Sequence, residues 1–466
     1  MAGKNLDMFK KLSDHLIVII ISMLPFKEAA RTSVLSRRWC HIWRETRNIE
    51  FDERPFVDFH ESEEKQATQR QGFMDFVLQW VQNYEGRDIE KFQLTCSKPE
   101  DFHGDIQRCI AFATTHNVKE LGLDFSDPTW DEKNLENHDA LFDLPLNVYG
   151  HVVLESLKLF SCKFLDSEFM NFVALKQVSL GWLELRESFI EALLVNCPLL
   201  ESLSLKKCWN LYHLHVTGEN LRLTSLVVDK CDLLTDWVVI EAPKLRYLKY
   251  SGTNAIFDVE IDRNHMEEAD LDFGLEFEQH EATGHHLYKL LQHLYPIKVL
   301  TVCSYMLQFV PLGEEPLRMD FDMNIRHLIM KTTMHPYEFF GIRFFLNSCP
   351  RLETLTLNII GPGRVFADYN PPMELIPDKF WLQWSNVLVC LHRSLKVVEV
   401  KGFKGKYHEV SLLLYLIFFG RVLERIDITV SKEEDGNGGN EDVYRGRAES
   451  LKTFKKASQG LQISIN

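Results

Sequence analysis

Paired cysteines, long apolar runs and phosphate-cradling glycine words are all missing from this chain of 466 residues, and each absence removes a class of protein. Its ten cysteines, from Cys40 to Cys390, stand singly with no CxxC word, so no disulfide framework of the small secreted kind is written in the spacing and a reducing compartment is expected. The strongest apolar run, Leu16 to Leu24, is nine residues long, far short of the roughly 20 that a membrane-crossing helix needs. Lys4, Lys10 and Lys11 precede it, yet Pro25-Phe26-Lys27-Glu28 follows where a leader would carry a small-residue cleavage site, so the run reads as a helix of the folded protein. No GxGxxG, GxxxxGK or GxSxG word occurs, which leaves nucleotide binding and nucleophile-elbow chemistry without local support; no catalytic residue and no cofactor are expected. Positive charge is also short, 52 Lys and Arg against 67 Asp and Glu, and a net −15 argues against a nucleic-acid partner. Metal words are weak. His280-Glu281 and His285 place histidines five apart, off one helical face, and His213 and His215 on a strand read as a solvent-facing pair in preference to ligands, so no metal is expected. Trp209 and Trp237 read as core or rim.

The chain is 45% hydrophobic and 26% charged, in the range of folded proteins, and too long for one compact core; it therefore divides into domains or forms a repeat array. Residues 1–50 carry nine Lys and Arg against five Asp and Glu, a locally basic segment on an acidic chain. Ser13 caps a helix that is apolar all round from Leu16 to Ile21 and stops at Pro25, a pattern that predicts burial on every side. A short second helix over 27–35 and a third begun by Ser36, with Trp39, Ile42 and Trp43 on one face, complete a module too small to bury this much apolar surface by itself.

The words Leu12-Ser13-Asp14-His15-Leu16, Ile20, Leu24-Pro25, Arg31 to Trp39 and Ile42-Trp43 closely resemble the F-box of plant F-box proteins. The resemblance implies docking onto a Skp-type adaptor, and through it a cullin, by Leu12, Leu16, Ile20, Leu24, Pro25, Val34, Leu35 and Trp39. Burying such a side chain is worth roughly 1.5–3 kcal/mol, so a few anchors suffice for a heterodimer. Ser13 stands where the family usually has Pro, and His15 where it often has an acid; Ser starts a helix equally well.

Beyond a polar segment over 54–71, expected as a loop-like linker, an apolar-x-x-apolar-x-apolar word returns, best in Leu154–Leu159, Leu200–Leu205, Leu223–Val228 and Leu352–Leu357, three times with a cysteine at one offset (Cys162, Cys208, Cys231). First positions fall at 89, 118, 154, 175, 200, 223, 245, 266, 297, 325, 352, 395 and 423, the copies at 89, 118 and 266 being weak. This is the leucine-rich-repeat pattern, whose units bury their apolar faces only by stacking. Short helices are expected over 189–194 and 339–346. The stretch Ser394 to Gly405, a helix over 408–419 and Leu423-Glu424-Arg425-Ile426 are similar to the FBD region of plant F-box/LRR proteins; a loop over 433–442 then leads to a terminal strand over 461–465.

The expected architecture is an α/β repeat protein: a three-helix F-box (8–53), the linker (54–71), a leucine-rich-repeat solenoid of horseshoe form with short concave strands (72–380), and FBD-like C-terminal repeats with a cap (381–466). The resemblance implies a non-enzymatic, substrate-recruiting subunit of a Skp-cullin-F-box ubiquitin ligase, nuclear or cytoplasmic, whose repeats hold a target protein. The alternatives are a small-molecule co-receptor using the concave face and a repeat scaffold without a ligase role. Strand alternation puts Lys158, Gln177, Ser202, Ser204, Tyr247, Lys249, Glu268, Asp270 and Asp272 on the candidate target face, and the acidic group at 268–272 hints at a basic partner segment.

Overall fold

A computed structural model describes residues 8–131, 142–165, 169, 172–218, 220–233, 237–262, 265–276, 282–309, 317–361, 364–366, 371, 373–381, 388–434 and 438–466. The chain divides into two compact units, Met1–Tyr212 with Gly218–Leu223 and Cys231–Leu234, and His213–Thr217 with Thr224–Lys230 and Thr235–Asn466. In the first unit α1 (Asp14–Ser22), α2 (Phe26–Arg31) and α3 (Arg37–Ile42) are followed by six parallel strands, Asn48–Asp52, Lys91–Thr95, Glu120–Asp124, Ser156–Phe160, Gln177–Glu184 and Ser202–Trp209, paired in chain order. The second unit continues the same pattern in nine: Ser225–Asp229, Tyr247–Ser251, Glu268–Asp272, Val299–Val302, His327–Thr332, Thr354–Ile359, Val397–Phe403, Arg425–Val430 and Gln462–Ile465. It also holds a smaller parallel sheet of Leu214–Thr217, Trp237–Glu241 and Ile256–Glu260. Each unit is thus a leucine-rich-repeat stack.

Every expected first position lies two residues ahead of a strand and is buried, the weak copies Ile89, Val118 and Met266 included. Along the strands, buried and half-buried residues alternate, as in Ser156–Phe160 and Tyr247–Leu248-Lys249, so one face supplies the core. The chain turns through the left-handed region at non-glycine residues just after the strand Ser156–Phe160, at Ser161 (φ 56°), and within the next two strands, at Trp182 (φ 52°) and Lys207 (φ 53°), a conformation that costs about 1–2 kcal/mol each. The following cysteines help hold that turn: the Cys162 thiol points at the Phe160 carbonyl (3.5 Å) and the Cys208 thiol at the Lys206 carbonyl (3.6 Å). The expected helices are present as Glu187–Asn196, Phe339–Ser348 and Tyr407–Phe419.

Three expectations change. The strand Asn48–Asp52, inside the segment assigned to the N-terminal module, is already the first strand of the repeat sheet. The segment 54–71 is no simple linker, because α4 (Glu63–Gln82) begins within it. Its polar first half hid the helix: Glu63 and Glu64 favour a helix N-terminus, while Gln66 and Arg70 are buried by hydrogen bonds, Arg70 Nε to Ser97 Oγ (3.0 Å) and Nη2 to Gln66 Oε1 (2.8 Å), which hydropathy does not register. The stretch 433–442 ends in a helix, Glu441–Ser450, capped by the Asn440 side chain, which accepts from Val443 N–H at 3.1 Å.

Candidate functional site

The N-terminal module is held by a small core of Ile17, Val18, Ile21, Ala29, Trp39 and Ile42, against which Leu12, Leu24 and Trp43 pack. Ser13 and Ser36 cap their helices, accepting from Leu16 N–H (3.4 Å) and Trp39 N–H (3.3 Å). Arg38, a residue the sequence pattern gave no reason to single out, ties α3 back to the first turn: its Nε donates to Asp14 Oδ1 (2.7 Å) and its Nη2 to the Leu12 carbonyl (2.5 Å). At the other end Phe26 meets Phe51 (5.3 Å) and Trp80 (5.5 Å) edge-on, and Asn48 Nδ2 donates to the Ser22 carbonyl (2.5 Å), seating the module on the first strand and α4.

The helix expected to be buried on every side is not. Three short helices enclose only one side of α1, so Ile17, Val18 and Ile21 are covered while Leu16 is 45% exposed, Ile19 38% and Met23 80%. These three lie at i, i+3 and i+7, a single stripe. Val34 (85%) and Leu35 (64%), between α2 and α3, are also bare. Of the anticipated docking residues, Leu16, Pro25, Val34 and Leu35 are exposed, and Leu12, Ile20 and Leu24 are half-buried. Trp39 is a correction: it packs inside the module with Phe9 against its ring (5.6 Å), because the face it shares with Ile42 is the one α3 turns inward. The exposure of Ile19 and Met23 was not anticipated, although their spacing from Leu16 was the available signal. This much bare apolar surface on so small a module marks a protein-docking face.

On the strand face of the first unit, Lys158 Nζ donates to Asp124 Oδ2 (3.0 Å) and lies 4.4 Å above the Phe160 ring, while Gln177 is exposed and Ser202 and Ser204 are half-buried. In the second unit Lys249 pairs with Asp229 (3.6 Å), beside half-buried Tyr247 and Glu268. The acidic group is largely answered from within: Lys331 Nζ reaches Asp270 Oδ1 (3.1 Å) and Asp272 Oδ2 (3.3 Å) from two strands away, over the intervening strand Val299–Val302. Burial pulls the Lys331 ammonium down, but the two carboxylates outweigh it and hold it above its ordinary value. His327 Nε2 lies 2.9 Å from Thr356 Oγ1, which donates to Glu399 Oε2 (3.1 Å); burial lowers this histidine's pKa, favouring the neutral ring. Thr356 is buried between these two neighbours.

The histidine words resolve simply. His213 and His215 are half-buried with rings 4.0 Å apart, rather than open to solvent. His285 is in the helix Thr283–His293, whereas His280 and Glu281 lie outside the described residues. Trp209 is half-buried and Trp237 exposed.

A second regularity runs along the edge where the strands begin. The residue before each strand reads Arg47, Glu90, Lys119, Glu155, Lys176 and Glu201 in the first unit, a strict alternation of charge. Cross-strand ion pairs follow, Lys176 with Glu155 at 2.6 Å and, in the second unit, Arg246 with Glu267 at 2.9 Å and Arg326 with Glu353 at 2.7 Å. In the first unit the carbonyls of Arg47, Glu90, Lys119, Glu155 and Lys176 each also accept two N–H groups from the next repeat, as Lys119 does from Glu155 (2.8 Å) and Ser156 (3.0 Å).

Comparison with known proteins matches the architecture. The F-box domain family fits residues 9–50, and the family described as At1g61320/AtMIF1, LRR domain, fits residues 80–462. The chain belongs to the plant F-box/LRR protein family. It is 38% identical to the F-box protein At3g62230 of Arabidopsis thaliana over 433 residues, 92% of each chain. It is 33% identical to the putative F-box/LRR-repeat protein At5g54820 of the same plant, over 98% of this chain and 97% of that one. A more distant relative, the FBD-associated F-box protein At4g13985 of Arabidopsis thaliana, is 27% identical over 92% of this chain and 90% of its own length.

Proposed function

We propose that this protein is the substrate-recruiting subunit of a Skp-cullin-F-box ubiquitin ligase: the F-box docks a Skp-type adaptor, which brings a cullin, and the repeats hold a target protein. The observation that carries the reading is the bare stripe of Leu16, Ile19 and Met23, with Val34 and Leu35, on a module whose small core is Ile17, Val18, Ile21, Ala29, Trp39 and Ile42. Such a surface stabilises a complex as water leaves it, each side chain contributing roughly 1.5–3 kcal/mol before the costs of association. Ubiquitin transfer is then carried out by other subunits. Holding target lysines near the charged conjugating enzyme raises their effective concentration, and this chain supplies no reacting group. The C-terminal 381–466 region is read as an FBD-like extension of the repeats, and the protein as working in the nucleus or cytoplasm, a compartment compatible with its free cysteines.

A small-molecule co-receptor would favour convergent cations on the strand face, whereas Lys158, Lys249 and Lys331 are each matched by aspartate. The deciding experiment is calorimetric titration of a Skp-type adaptor into the full chain and into Leu16→Asp/Val34→Asp. Substitution is cleaner than truncation, since Asn48–Asp52 is a strand of the sheet. Binding by the intact chain, lost in the variant with an unchanged thermal midpoint, supports the reading; no binding by the intact chain removes the ligase role.

A further inference from the structure

Along the strand-entry edge of the second unit Thr224 and Leu461 are neutral, and among the charged positions the alternation of sign fails at one step. In the second unit the sequence runs Arg246, Glu267, Lys298, Arg326, Glu353, Lys396 and Glu424, so Lys298 and Arg326 are cations on neighbouring strands. At this break the edge opens into a groove of about 760 Å³, whose charged lining is Arg318, Arg326, Arg351, Arg393, Asp322 and Glu353. Two of the cations are answered locally, Arg326 by Glu353 (2.7 Å) and Arg318 by Asp322 (3.4 Å). The remaining two are not answered by a carboxylate among the described residues. Arg351 donates only to the neutral amide of Asn324 (Nη1 to Oδ1, 3.3 Å), and Arg393 makes no hydrogen bond or ion pair among the described residues. A chain with a net charge of −15 therefore keeps an excess of two positive charges in one groove, both on exposed guanidinium groups.

We infer that this groove, at the helix-to-strand edge of the repeats and off the strand face, docks an acidic peptide segment of the target protein, with Arg351 and Arg393 each taking a carboxylate. The inference rests on the reading of the repeats as the half that holds a target. Guanidinium forks bind carboxylates through two parallel N–H bonds, which fixes direction as well as charge. Arg351 and Arg393 precede the adjacent strands Thr354–Ile359 and Val397–Phe403, whose spacing is about 4.8 Å, so one short extended segment reaches both. Carboxylates two to three residues apart lie within reach of two such long, exposed side chains. Asp322 and Glu353 within the same lining repel a dense polyphosphate or a nucleic-acid backbone, whereas a peptide with spaced carboxylates avoids them.

The test uses the full chain and fluorescein-labelled Gly/Ser peptides bearing Glu at every third position, with Gln, Lys and phosphoserine versions, read by anisotropy. The Glu peptide is expected to bind saturably and to weaken as salt is raised, because its partners are exposed charges. Arg351→Glu/Arg393→Glu is expected to lose at least about tenfold in affinity and to gain binding of the Lys peptide, with its thermal midpoint unchanged. Equal binding of the Gln peptide, or unchanged affinity in the variant, overturns the assignment; a preference for phosphoserine overturns the carboxylate identity. Adaptor binding measured on the same variant stays intact, which separates failure of the groove from failure of the ligase reading.

Discussion

The F-box and the repeats that follow it are both rich in leucine and isoleucine, yet they dispose of these residues in opposite ways. In the repeats, Leu203, Leu205, Leu355 and Leu357 alternate with polar residues and are at most 2% exposed, since each neighbouring repeat covers the last. In α1 the same residue types run without interruption, and three short helices cover only half of them. Apolar surplus within a repeat is absorbed by stacking; surplus on a small helical module is left for a second protein. The amount of hydrophobic sequence is therefore a poor guide to burial unless the number of available neighbours is known.

The sharpest way to break this contrast is to make one truncation in each region. Leu205→Ala, at a site with no exposure, is expected to destabilise the first unit by about 2–5 kcal/mol in urea denaturation. Leu16→Ala is expected to stay within about 0.5 kcal/mol of the parent while weakening adaptor binding; a large stability loss there would make α1 structural. Next in size is Arg38→Ala, which removes the bonds to Asp14 and the Leu12 carbonyl and is expected to cost about 1 kcal/mol, seen as faster amide exchange over 12–22 with the repeat strands unchanged.

The smallest effect concerns Glu53, just after the first strand. Burial raises its pKa, although Ser97 N–H donates to Oε1 at 2.5 Å, and Oε2 has no hydrogen-bond partner among the described residues. A folded-state value above the unfolded one means that its contribution is full below the unfolded pKa and is lost as pH rises through the folded value. Glu53→Gln is therefore expected to match or fall below the parent in acid and to overtake it by up to about 1 kcal/mol as pH rises above the ordinary carboxylate range. Denaturation curves across that range decide; a gain confined to acid would contradict the sign.

Much of the fold was legible because the repeat is local. An apolar residue two places ahead of most strands, alternation within them and, in some repeats, a cysteine near the end are short-range rules, and the first of them located even the weak copies at 89, 118 and 266. What escaped was where polarity is buried or apolarity exposed. The helix Glu63–Gln82 begins in a polar stretch because Arg70 and Gln66 find partners brought by Ser97 and by the preceding turn. Exposure on the N-terminal module was half legible: of the residues the resemblance named, Leu16, Val34 and Leu35 are bare while Trp39 is internal, and the exposure of Ile19 and Met23 emerged only when the covered side of α1 was known.

The sequence by itself determined the F-box word, the repeat period and the strand register, since each depends on the spacing of residues along the chain and on backbone geometry that any such spacing imposes. Only the tertiary structure decided which apolar residues remain bare, that Lys331 answers Asp270 and Asp272, and that Arg351 and Arg393 pair with no carboxylate among the described residues. Those outcomes depend on which side chains are brought together from distant repeats, and burial and charge pairing are properties of neighbours in space.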